Sequence, residues 1–151
     1  MFIDDCPHTF ADLAATVLPG HMRRLRVAMQ NPHPASLFST AGKGPTTIAK
    51  QLGLSSDFSG CYVLLEGALP IYVGISRSVL ARLRQHFLGR THYDASLAYA
   101  IAKHCAPTRS KRSEAMAQTQ FRKAFDDAQA YLRELGVAFV QIDNPLELYV
   151  F

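Results

Sequence analysis

A chain of 151 residues, 48% of them apolar, is long enough to bury one core plus a modest extension, and it contains no apolar run of the roughly 18 residues a membrane span needs. The acidic start MFIDDCPHTF lacks the basic opening of a signal peptide, and three scattered cysteines, Cys6, Cys61 and Cys105, form neither a disulfide framework nor a C-x-x-C zinc knuckle. The expectation is a soluble, cytoplasmic protein with no membrane partner. The net charge of +4 is small but uneven: residues 76–112 hold eight Lys/Arg against Asp94 alone, so that stretch is +7 and the remainder −3. A basic half on a mildly acidic body suits a polyanion partner, although a solvated helical surface would carry the same charges.

In chain order, residues 8–30 read as helix, with Phe10, Leu13, Ala14 and Val17 at helical spacing. Pro19-Gly20 is expected to break that run and leave a second short helix over 21–30, bearing Arg23, Arg24 and Arg26. Residues 31–46, rich in Pro, Gly and Ser, read as a connecting loop, and a short helix fits 46–52 before Gly53. Residues 1–58 thus form a helical N-terminal extension and loop. From Gly60 the texture changes. Residues 61–66 (CYVLLE) and 71–75 (IYVGI), joined by a Gly/Pro turn, predict an antiparallel hairpin. Ser78 is placed to cap a helix reaching about residue 88, with Val79, Leu80, Leu83 and Phe87 inward. Asp94 is placed to cap the next, with Leu97, Ala98, Ile101 and Ala102 inward and Pro107 beyond its end. A basic loop (TRSKRS) precedes one long helix over 113–135, striped with Phe121, Phe125, Ala128, Leu132 and Leu135. Residues 137–142 predict a third strand, and Asn144-Pro145 the cap and first position of a last helix.

The chemically informative pattern is Gly60-Cys61-Tyr62, nine intervening residues, then Tyr72-Val73-Gly74 and a helix bearing Arg82 and His86. The hairpin brings the two tyrosines to one small sheet. Arg82 and His86, four apart, share a helix face, read as turned away from the Leu83/Phe87 side. Two phenols, a guanidinium and an imidazole are expected to converge on a shallow, solvent-open basic surface. Each tyrosine taken singly is an ordinary strand residue; the joint spacing is what distinguishes them.

These tripeptides, GCY and YVG, with the following text YVGISRSVLARLRQH, resemble the GIY-YIG nuclease family over about residues 59–151. The resemblance implies an α/β (α+β) fold, a small three-stranded antiparallel sheet flanked by helices, and a metal-dependent endonuclease acting on nucleic acid, DNA rather than RNA. It implies catalytic roles for Tyr62, Tyr72, Arg82 and His86, and a Gly74 that lets the strand approach substrate. A guanidinium donates a fork of N–H groups to phosphate oxygens. Tyrosine, with a free pKa of about 10, would need a lowered value to take a proton from water. Arg77, Arg84, Arg90 and Lys103 are the expected phosphate contacts, which position without specifying sequence. The implied cofactor is one divalent ion, Mg or Mn, held by a glutamate on the helix after the third strand. The only acid there is Glu147, in the first turn, so either Glu147 does the work or the ligand lies just past Phe151. The alternative is a non-catalytic nucleic-acid-binding or protein-interaction module that keeps the fold.

Other motifs read blandly. Gly42-Lys43-Gly44-Pro45-Thr46-Thr47 lacks the phosphate-loop frame. Residues 48–55 open like a helix-turn-helix but lead into a strand, not a recognition helix. His92 and His104 lie at no usual zinc spacing from His86.

Overall fold

A computed structural model describes residues 3–151. It is a mixed α/β molecule in which helices cover both faces of one antiparallel sheet. The strands are β1 (His33–Pro34), β2 (Gly60–Glu66), β3 (Leu69–Ser76) and β4 (Gly136–Gln141), in the order β1-β4-β2-β3. The sheet therefore has four strands where the sequence predicts three. The added strand is only two residues long and comes from the stretch read as loop. His33 and Pro34 pair with Val137 and Gly136 at the sheet edge, where a proline's missing N–H can be tolerated.

The helices are α1 (Phe10–Asp12), α2 (Leu18–Gln30), α3 (Ser36–Ser39), α4 (Pro45–Gln51), α5 (Val79–Leu88), α6 (Ser96–Cys105), α7 (Arg112–Ala117), α8 (Thr119–Arg133) and α9 (Pro145–Val150). Among the described residues, no helix is long and apolar enough to cross a membrane. Pro19-Gly20 does not break the first helical run. A π-helical turn, Leu13–Val17, joins α1 to α2, with the Leu18 amide reaching back to the Leu13 carbonyl. A proline inside a helix lacks a donor and crowds the carbonyl four residues back. The wider π turn loosens the ladder at that point and lets the helix pass through. The helix predicted over 113–135 is, conversely, two, because Gln118 is extended between α7 and α8.

Alternation along β2 separates two cores. Tyr62 and Leu64 face a layer made with α5, α6 and α8, including Leu83, Phe87, Ala98, Phe121, Phe125 and Leu132. Cys61, Val63 and Leu65 face the other layer, with Leu25 of α2, Ala138, Val140 and Leu148 of α9. The inward stripes read from sequence on α5 and α8 are the buried ones. Residues before 59 enter both layers: Phe38, Ile48 and Phe58 the first, Leu25 the second.

Candidate active site

Tyr62 in β2 stands opposite Gly74 of β3, and Leu64 opposite Tyr72. Opposed residues of an antiparallel pair project to one side, as do residues two apart. Both phenols therefore emerge on the face that α5 covers, with ring centroids 6.2 Å apart. Gly74 is the enabling residue. A Cβ there would collide with Cζ and Oη of Tyr62, so the space it leaves is filled by the tyrosine ring, not held open for an incoming molecule. The Tyr62 hydroxyl reaches α5 and hydrogen-bonds His86 Nε2 at 2.7 Å. The Tyr72 ring lies edge-on to His86, at 5.6 Å and 74°.

α5 is fixed by a cap that local sequence does not reveal. Ser78 occupies the N-cap position without a side-chain bond. The Asp57 carboxylate, from the loop before β2, accepts from the amides of Leu80 (2.8 Å) and Ala81 (3.0 Å) and from its neighbour Phe58 (2.8 Å). It satisfies two of the helix's orphan donors and sets how α5 sits against the sheet. At the far end, buried Gln129 of α8 donates to the carbonyls of Gly89 (2.7 Å) and His86 (3.4 Å).

Arg82, half-buried, leans from α5 toward the loop before α6. Nη1 donates to Gln85 Oε1 (2.9 Å) and to the Asp94 carbonyl (3.0 Å), and Nη2 to Ser96 Oγ (3.0 Å). Three bonds leave some of a guanidinium's five N–H donors for a ligand. Asp94 serves through this carbonyl and through its carboxylate, which accepts from Thr91 Oγ1 at 2.9 Å. It does not cap α6, whose N-cap is Ala95.

The expected shallow, open surface is a nearly closed one. Tyr62 is 1% and His86 0% exposed, because α5 is buried on the His86 side as well as along Leu83 and Phe87. Only Tyr72 and Arg82 keep partial access to solvent. Burial raises the Tyr62 phenol above its ordinary range; the neighbouring Tyr72 adds to that, and the Arg82 guanidinium opposes both without prevailing. Burial and then Arg82 lower His86 to about 4, so its imidazole is neutral at ordinary pH. His86 Nδ1 is buried without a hydrogen-bond partner.

The other expected contacts scatter. Arg84 donates to the carbonyls of Phe38 and Thr40, both at 3.2 Å, and so clamps α3 against α5. Arg77, exposed after β3, lines a hollow with Asp143 and Tyr149 beside α9. Arg90 is exposed just past α5, its carbonyl held by Arg122 at 3.0 Å. Lys103 is exposed on α6.

Glu147 is not brought to the tyrosines. It is 8% exposed, with Oε2 2.8 Å from His21 Nε2 and Oε1 3.7 Å from His8 Nε2. Its neighbour Leu148 packs with Cys61 and Val63, across the sheet from Tyr62. Arg24 in turn bonds His21 Nδ1. Nothing local in the sequence announces this Glu147–His21–Arg24 chain, since its members lie at opposite ends of the polypeptide. Among the described residues, no three His, Cys, Asp or Glu side chains are grouped to hold a metal ion. Comparison of the chain with family models, curated proteins and solved structures finds no match.

Proposed function

We propose that this chain is a GIY-YIG-type phosphodiesterase, an endonuclease acting on nucleic acid, DNA rather than RNA. The observation that carries the proposal is the meeting of Tyr62, Tyr72 and His86 on one face of the sheet, anchored by the 2.7 Å bond between Tyr62 and His86, with the Arg82 guanidinium near enough to act on both Tyr62 and His86. A phosphodiester needs a group to hold its charge and a group to take a proton from water. The free N–H groups of Arg82 meet the first need. For the second, Tyr72 and Arg82 form the side open to solvent, and behind them the Tyr62 phenol oxygen takes a proton from water as its own proton passes to neutral His86 Nε2.

A divalent ion, Mg or Mn, belongs to the proposal through the sequence resemblance alone. Where bound, such an ion neutralises phosphate charge and orients oxygen ligands. The residues beside Tyr62 do not fit it, since Glu147 is committed to His21 on the other side of the sheet.

That same commitment, with the raised pKa of Tyr62, favours a second reading: a module that binds nucleic acid without cutting it. Supercoiled plasmid incubated with Mg²⁺ or Mn²⁺ separates the two. Under the first reading the parent nicks the plasmid, and Tyr62→Phe or Arg82→Ala slows nicking by roughly 100- to 10,000-fold. Variants that cut at the parent rate would overturn the site assignment. No cutting, with binding that weakens steeply as salt rises, supports the second reading.

A further inference from the structure

The loop between α5 and α6 carries an aromatic side chain that the proposed chemistry leaves unused. Tyr93 is 77% exposed, unusual for a residue with so much apolar surface to bury. Phe10 is comparably bare, but it borders an apolar hollow with Leu13, Leu146 and Val150. The exposed residues just before Tyr93 in sequence, Arg90 and Thr91, are polar.

The segment that presents Tyr93 is held at several points. Thr91 Oγ1 donates to the Asp94 carboxylate at 2.9 Å and accepts from the Asp94 amide at 3.2 Å, and the Ala95 amide closes onto the Thr91 carbonyl at 3.0 Å. Arg122 holds the carbonyl of Arg90 on one side of Tyr93, and Arg82 holds that of Asp94 on the other. One side of the Tyr93 ring is backed by His92, with centroids 4.1 Å apart. His92 is itself buried and packs near Tyr99. The remaining ring surface is open to solvent. The nearest acid in sequence, Asp94, has its carboxylate occupied by Thr91, and Arg90 stands three residues before Tyr93, exposed.

A fixed aromatic face beside cationic side chains is what unpaired nucleobases stack upon; each stacked base contributes about 1–3 kcal/mol and needs no particular sequence. A base inside a duplex has both its faces covered by neighbours and offers none. We propose that Tyr93 is a stacking platform for an unpaired base next to the phosphate that Arg82 faces, so that the preferred substrate is single-stranded DNA or DNA with an unpaired nucleotide at the cut. This rests on the nucleic-acid reading above and names its substrate class.

The test is binding of a labelled single-stranded oligonucleotide and of its duplex, at one fixed salt concentration. The parent binds the single strand more tightly than the duplex. Tyr93→Ala weakens single-strand binding by roughly 5- to 150-fold, the affinity change equivalent to one stacked base, and leaves duplex binding unchanged. Tyr93→Phe, which keeps the ring, restores parent affinity. The chain contains no tryptophan, so Tyr93→Trp supplies a lone fluorophore whose emission is quenched on adding the single strand and not the duplex. Equal single-strand affinity in parent and Tyr93→Ala, or equal losses on both oligonucleotides, overturns the platform while the nuclease reading stands. A parent that binds neither oligonucleotide overturns the nucleic-acid reading, and the platform with it.

Discussion

His86 shows most directly what burial does to a titratable side chain. Its folded pKa of about 4 lies below the ordinary 6.5 because the cation would have to exist in a closed site beside Arg82. Between those values the unfolded chain binds a proton that the folded chain refuses. The stability this group contributes is therefore fully present above about pH 6.5 and is lost as pH falls toward 4. The full difference is on the order of 3 kcal/mol. The expected outcome is a melting temperature that drops across that window, with a slope that flattens in His86→Gln; an unchanged slope would mean other groups govern it. The four-residue constellation was legible because strand alternation and helix periodicity act locally: Tyr62 and Tyr72 had to share a face once the hairpin formed, and Arg82 and His86 had to share a helix side. The enclosure of His86 was not legible. It is imposed by long-range packing, with α8 closing over the end of α5 through Gln129, far along the chain.

At the scale of elements, most local signals in the sequence coincide with the elements that form, and the exceptions have identifiable causes. Val79, Leu80, Leu83 and Phe87 marked the inner side of α5, and Phe121 through Leu132 that of α8, because a helix must cover its apolar stripe. Pro19 misled because the π turn before it absorbs the missing donor. The break at Gln118 has no proline or glycine to announce it; the turn there gives α8 its own direction, with Phe121 against Tyr99 at 5.2 Å. Ser78 misled because a better acceptor arrives from elsewhere. Asp57→Ala should destabilise the protein by about 0.5–2 kcal/mol, the usual cost of a lost cap, while Ser78→Ala should be close to neutral. Thermal or denaturant unfolding of the pair decides between them, and the reverse ranking would mean that Ser78 caps the helix in solution.

For the whole molecule, a division at residue 58 describes the sequence better than the structure. The earlier segment supplies β1 at the edge of β4, the Leu25 side of one core and the Phe38 and Ile48 side of the other. A fragment of residues 59–151 is accordingly expected not to fold: its circular dichroism and proton spectrum should lack the dispersion and cooperative melting of the full chain. A cooperatively melting fragment would instead show that the first part is dispensable. The strand order carries a consequence for biosynthesis. β4 lies between β1 and β2 yet is made after the other three described strands. A nascent chain on the ribosome can close the β2–β3 hairpin early, but one margin of β2 stays unsatisfied until α5 to α8 have been made and β4 has emerged after them. Sheet completion thus waits on a segment synthesised well after the hairpin, and the interval before it is when the chain is most open to mispairing with its neighbours.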